Sequence, residues 1–391
     1  MRWYLAAAEQ GHTDAQTNLA QMYDNGEGVL ENDKKAAQWY RGAAERGHAQ
    51  AQFMLGQIYN TGEGIPQNNA KAIMWYGHAA EQGHTDAQFY LGGVYANGEG
   101  VAKNDQLAIQ YYHQAANRGH VQAQASLGLM LMNGEGTQKD NQKALQWFRE
   151  AARQFNAVAQ FNLGLMFENG KGVTADNLQA VEWYRASAEQ GYSLAQSSMG
   201  RMYAEGNGVF EDSQKALAWH EKAASQGHAD SQYQLGLVYD VGEAVIEDNP
   251  EAIIWYQKAA DQGHAEAQYR LGHKYDLGEG TLKDDSKAIH WYEIAAQQGH
   301  QIAQFNLGYK FDAGEGVVED NNAAFIWYQM AAENGHAAAQ YNLGLMYANG
   351  EGVDQNMTKC KQWIQKAFEN NDVGISQRAE DFWNINDLWQ Y

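Results

Sequence analysis

Small and apolar residues alternate with polar ones in two helical stripes that repeat along this chain. Across residues 11–46, Ala15, Leu19, Met22 and Tyr23 fall at i, i+4, i+7 and i+8, one face of an amphipathic helix. Ala36, Trp39, Tyr40, Ala43 and Ala44 repeat that spacing and predict a second helix. Gly26 stands where a helix ends on a left-handed residue, and Gly28 permits another sharp bend. Asp33, Asn69, Asp105, Asn141, Asn177, Ser213, Asn249, Asp285 and Asn321 read as N-caps of the second helices, with Pro250 at the first helical position after Asn249. Glycines such as Gly47, Gly83 and Gly119 close those helices. Each unit therefore reads as a helix, a loop of roughly seven residues, a second helix and a tight turn.

The pattern returns every 36 residues. Leu-Gly-x-x-Tyr recurs from Leu55-Gly56 and Tyr59 to Leu343-Gly344 and Tyr347, and the Gly-x-Gly loops recur with one variant, Gly242-Glu243-Ala244. Ten units fill 11–370 without insertion or deletion. Residues 1–10 form a half-repeat, because Trp3 aligns with Trp39, and 371–391 form a C-terminal cap and tail. There a helix is expected over roughly 374–389, with Ile375, Ala379 and Phe382 or Trp383 on the last unit and Trp389 and Tyr391 packing nearby. A single hairpin cannot bury Trp39, so the units must stack. The predicted fold is an all-α, right-handed α/α solenoid with the first helices on its concave side. Truncating the Trp255 side chain to Ala is expected to cost about 3–5 kcal/mol.

Ala-x-x-x-Leu-Gly-x-x-Tyr-x-x-Gly-x-Gly, followed by Ala-x-x-Trp-Tyr-x-x-Ala-Ala-x-x-Gly-His, runs from Ala51 to His84. This resembles the Sel1-like repeat family, relatives of the tetratricopeptide repeat, over Trp3 to about Phe368. The resemblance implies an adaptor or scaffold that binds proteins or peptides along its groove, with bacterial members in signalling, envelope processes or host interaction. Unit 155–190 departs from it with Phe155-Asn156 and Lys171, Tyr111 stands for a Trp, and His220 for a Tyr.

Composition narrows the partner class. The formal net charge is −21, which repels phosphate backbones, so nucleic acid is not expected and a basic protein or peptide is favoured. No run of 18 apolar residues exists and no signal segment opens the chain, so it reads as cytoplasmic as it stands, or as periplasmic or secreted if a segment precedes it. The one cysteine, Cys360, occupies a slot filled elsewhere by Ala36 or Ala72 and reads as a small buried residue.

Candidate chemistry is sparse. The recurrent histidines (His12, His48, His84, His120, His228, His264, His300, His336) are one repeat apart, roughly 8–10 Å, too far to share a metal, and read as turn and N-cap residues. The Glu of each Gly-Glu-Gly loop lacks EF-hand spacing and reads as an acidic edge. No phosphate loop, His-Glu-x-x-His, Gly-x-Ser-x-Gly or Ser-x-x-Lys motif is present, so no catalytic, cofactor or metal residue is assigned.

The groove remains. Phe53, Phe89, Phe161, Tyr233, Tyr269, Phe305 and Tyr341 form one row on the first helices, each after a Gln, and either line the groove or pack on the adjacent helix. Asp240, Asp276 and Asp312, with Asp24 and Asn60, give an acidic lining whose charge reversal is expected to weaken a basic partner without unfolding the array. Arg270 and Lys274, with His273 and Lys310, read as solvated charge or as a clamp for a carboxylate. The resulting expectation is a non-enzymatic scaffold for a protein or peptide. The alternatives are a neutralising partner of one basic protein, such as a toxin, and, more weakly, a β-lactamase-like hydrolase.

Overall fold

The computed structural model describes residues 2–370 and 372–386. Among these are 22 helices and no strand. The half-repeat helix Arg2–Glu9 is followed by first helices such as Thr13–Asn25, Ala229–Val241 and Ala265–Leu277, alternating with second helices such as Asp33–Ala44, Asn249–Ala260 and Asp285–Gln297. The fold is an all-α solenoid of helix-turn-helix repeats. It divides into two compact units, Met1–Ala195 with Asn207–Val209, and Gln196–Gly206 with Phe210–Tyr391, and the same repeat construction serves inside each.

Within a repeat, the glycine of Leu-Gly lets the second helix come close. A Cβ on Gly56 would stand 2.6 Å from the Tyr76 ring, and Gly236 and Gly272 face Tyr256 and Tyr292 in the same way. This second-helix residue, a tyrosine except at Phe148, His220 and Ile364, and not the tryptophan before it, is the buried wedge of the hairpin: Tyr40, Tyr76, Tyr184, Tyr256, Tyr292 and Tyr328 are fully buried, whereas Trp39 and Trp255 are only half-buried. The 3–5 kcal/mol expected for Trp255 thus belongs to a tyrosine truncation.

The N-caps lie one residue earlier than expected. Asn32, not Asp33, accepts from the Lys35 backbone N–H at 3.0 Å, and the pattern continues through Asp284, which accepts from Lys287 N–H at 3.0 Å. Pro250 is accordingly the second helical residue, after N-cap Asp248. Both residues of each pair are good caps, so the choice falls to packing: the first helical residue is the one that meets the loop of the next repeat. A Cβ on Gly64 would lie 2.5 Å from the Asp33 carbonyl carbon, which is why the second loop glycine recurs. Phe155 replaces a turn glycine at a cost, holding a φ of +61° with its ring exposed.

Buried glutamines bind successive repeats. Gln268 Nε2 donates to the Ala260 carbonyl at 3.0 Å, ending the preceding second helix, and its Oε1 accepts from Gln298 at 2.6 Å. Cys360 is buried and burial pushes its thiol up to about 11, an inert packing residue. At the C-terminal end the helix Val373–Ile385 buries Ala379, with Ile375, Phe382 and Trp383 partly buried against the last repeat. The rest of the helix expected to 389, with Trp389 and Tyr391, lies outside the described residues.

Candidate interaction surface

Seven of the eight recurrent histidines cap a first helix with their side chains, and His12 stands at the N-cap without such a bond. His264 Nδ1 accepts from the Ala267 N–H at 3.1 Å, and His300 Nδ1 from Ala303 at 3.2 Å. That leaves Nε2–H to donate backward across the repeat junction, as His300 does to Glu266 at 2.8 Å. Burial lowers the pKa of His84, His120, His228 and His336, which favours the neutral ring that this cap requires. The Asn156 side chain performs the same capping for Ala159 at 2.8 Å where the histidine is replaced.

The aromatic row stacks on these caps. Ring centroids lie 4.6 Å apart for Phe53 and His84, 4.5 Å for Phe89 and His120, 4.6 Å for Tyr233 and His264, 4.6 Å for Tyr269 and His300, and 4.5 Å for Phe305 and His336. Phe161 meets Tyr192 edge-on at 5.3 Å, and Tyr341 meets Phe382 of the terminal helix at 6.3 Å. Phe53 is buried beneath Tyr90, whereas the other six are half-buried. Four of those six, Phe89, Tyr233, Tyr269 and Phe305, stack one face on the next repeat's histidine, and all six stay partly exposed.

Lys274 and Lys310 do not form a clamp at the surface. They take a first-helix position that is apolar elsewhere (Ile58, Met130, Met166, Met346), and their side chains are 6% and 3% exposed. The Lys274 ammonium is ion-paired with Asp240, donates to Asn249 Oδ1 at 2.5 Å and reaches Glu279 Oε2 at 2.9 Å. The Lys310 ammonium contacts Asp276 at 2.5 Å, Asp285 at 3.0 Å and Glu315 at 3.1 Å. The carboxylates they hold belong to this chain, and the two lysines sit in separate cages. Arg270, part-exposed, pairs with Glu266 on its own helix at 3.3 Å.

The acidic row is thus largely internal. Asp240 and Asp276 also accept from the Tyr256 and Tyr292 hydroxyls at 2.9 and 3.2 Å, so reversing their charge would strand a buried ammonium and destabilise the repeats. Asp312 accepts from Tyr328 at 3.2 Å but faces Met346 where a lysine would stand; burial, only partly offset by that hydrogen bond, raises its pKa.

One surface was missed in the sequence. Two residues after the second loop glycine, or after Ala244 in its place, stand Phe210, Ile246, Leu282 and Val318, which are 96, 92, 88 and 87% exposed. They occupy the same loop position in four consecutive repeats of one compact unit. The signal was available: the equivalent residues upstream are Leu30, itself 91% exposed, then Pro66, Ala102, Gln138 and Thr174, so the unbroken run of four large apolar side chains departs from the four repeats before it.

The Sel1 repeat family model matches the chain at 1–12, at nine segments from 13–48 to 301–336, and at 337–372. A protective antigen of uropathogenic Escherichia coli, described as displaying an SLR fold, aligns at 37% identity over 100% of this chain and 84% of its own, with a TM-score of 0.84. A Sel1 repeat protein from Oxalobacter formigenes aligns at 36% identity over 78% of this chain and 88% of its own, with a TM-score of 0.63. No curated protein sequence matches the chain. Among the described residues, no helix is long and apolar enough to cross a membrane.

Proposed function

The chain belongs to the Sel1 repeat family, and from that premise we propose that it is a scaffold that holds a basic protein or peptide against its first helices and loops. Proteins of this family generally mediate protein–protein contacts, and the solenoid is typically non-enzymatic. The observation that carries the reading is the loop row Phe210, Ile246, Leu282 and Val318, each at least 87% exposed. Large apolar side chains aligned on successive loops are a surface that a partner covers. The half-buried row of Tyr233, Tyr269 and Phe305 adds anchors already immobilised by stacking, which lowers the entropic cost of binding. The net charge of −21 favours a basic partner and makes association salt-sensitive. Signalling, envelope or host-contact roles suit such an adaptor.

The same charge supports a second reading, neutralisation of one basic protein. An adaptor would hold several partners, whereas a neutraliser would give a single tight stoichiometric complex. Cross-linking of the purified chain to its partners, compared with a Phe210→Ser, Ile246→Ser, Leu282→Ser, Val318→Ser variant, tests the surface. Partners should be lost while the melting temperature stays unchanged. Undiminished capture by a folded variant would refute the loop surface.

A further inference from the structure

The two lysine cages define a position in the repeat at which this fold holds an ammonium group. Around Lys310 the acceptors are Asp276, Asp285 and Glu315. Seven repeats earlier, 252 residues upstream (7 × 36), the same register carries Asp24, Asp33 and Glu63, an identical set of carboxylates. The lysine is replaced there by Ile58, which is buried at 4% exposure and carries no charge.

Beside Ile58 lies a cavity of about 240 Å³ lined by Asp24, Ile58, Asn60, Glu63, Tyr76 and Tyr90 among others. That is far more than the roughly 10–15 Å³ one water needs. The Tyr76 hydroxyl lies at this cavity without a hydrogen-bond partner, although the residue is only 1% exposed. Tyr76 is the counterpart of Tyr328, whose hydroxyl donates to Asp312; here Asn60 stands in place of that Asp and the hydroxyl is left unpaired, which is costly and leaves its oxygen free to accept. The pKa of the Asp24 carboxyl is raised by burial and then by the neighbouring Glu63, Asp33 and Glu31, partly offset by a hydrogen bond with Tyr40.

We infer that this cavity binds a primary ammonium group supplied from outside, in the place that Lys310 fills from within. An ammonium has three donors and no acceptor, which suits Asp24, Glu63 and the Tyr76 hydroxyl oxygen. Among the described residues, no group of acidic, histidine or cysteine side chains is placed to hold a metal ion, and in the equivalent register the cation is the Lys310 ammonium, which favours an organic cation here. The ammonium is carried by a lysine side chain of a partner protein or by a free alkyl diamine. The lysine source rests on the scaffold reading above, whereas the site itself does not.

Two probes, Nα-acetyl-lysine methylamide and 1,5-diaminopentane, are titrated into the full chain at low ionic strength by calorimetry, with the norleucine analogue as control. Saturable binding of an amine probe, absent for norleucine, is expected. It should weaken by at least roughly tenfold in Asp24→Asn, which removes a charged acceptor. In Ile58→Lys the chain's own ammonium should fill the cage, abolish binding and raise the melting temperature. Tighter binding of the lysine derivative assigns a protein side chain, and tighter binding of the diamine assigns a free amine. Absence of saturable binding by both probes overturns the inference, as does binding undiminished in Asp24→Asn. If Ile58→Lys fails to fold, the Asp24→Asn titration decides. Amine binding without any captured partner would keep the site and remove the scaffold reading.

Discussion

Replacing Lys274 with methionine takes the cation from a carboxylate that has little access to water. The Asp240 side chain is 12% exposed, and without Lys274 its remaining partner is the Tyr256 hydroxyl at 2.9 Å. Breaking a buried ion pair by removing one member costs about 3–5 kcal/mol, because the other charge is left uncompensated. The residual exposure of Asp240 places this case near the lower end, about 3 kcal/mol. Glu279 is 47% exposed, so the loss of its contact adds little.

The chain also contains the apolar version of the junction. Three repeats earlier the positions of Asp240, Tyr256 and Lys274 are held by Met132, Phe148 and Met166, with Phe148 and Met166 fully buried. The triple variant Asp240→Met, Tyr256→Phe, Lys274→Met copies that solution. Exchanging a buried ion pair for apolar groups is neutral or stabilising by about 1–4 kcal/mol. Against this stands Asn249 Oδ1, which loses its donor just as Asn141 Oδ1 lacks one at the apolar junction, at about 1–3 kcal/mol. The two terms nearly cancel, so the triple variant should recover most of the loss caused by Lys274→Met. Repeat arrays unfold locally, so the assay is hydrogen exchange by mass spectrometry on the helices Ala229–Val241 and Ala265–Leu277, supported by urea unfolding. A single variant as protected as the native chain, or a triple variant no better than the single, would refute the reasoning.

Two helical glycines should respond oppositely to alanine. Gly77→Ala meets nothing within 4 Å and should stabilise by about 0.5–1 kcal/mol through helix propensity, whereas Gly236→Ala runs into the Tyr256 ring and should destabilise on thermal denaturation. His220 fills the slot of a buried tyrosine, beside Ser231 and His228, and burial pushes its pKa down to about 4. The unfolded chain, with an ordinary value near 6.5, therefore takes up this proton first as pH falls. The stability from the neutral ring is complete above about pH 6.5 and declines toward pH 4, by up to about 3 kcal/mol. His220→Tyr should remove that part of the slope in melts between those pH values.

The sequence by itself determined the repeat and its internal fit. A fixed period of 36, a Gly across from a Tyr twenty residues on, and a capping residue before each helix are local requirements, so they are written in every unit. The capping role of the histidines was legible for that reason. The N-cap register was not: Asn32-Asp33 and Asp248-Asn249 each offer two competent caps, and only the approach of the next loop decides which side chain turns inward. Lysine on a helix also reads as solvated charge from sequence alone. Lys274 and Lys310 are buried because Asp240 and Asp276, each 34 residues earlier, come from the neighbouring repeat. The same stacking brings Asp24, Glu63 and the Tyr76 hydroxyl to the walls of one cavity. Which charges meet depends on how one repeat stacks on the next, and that is a property of the tertiary structure.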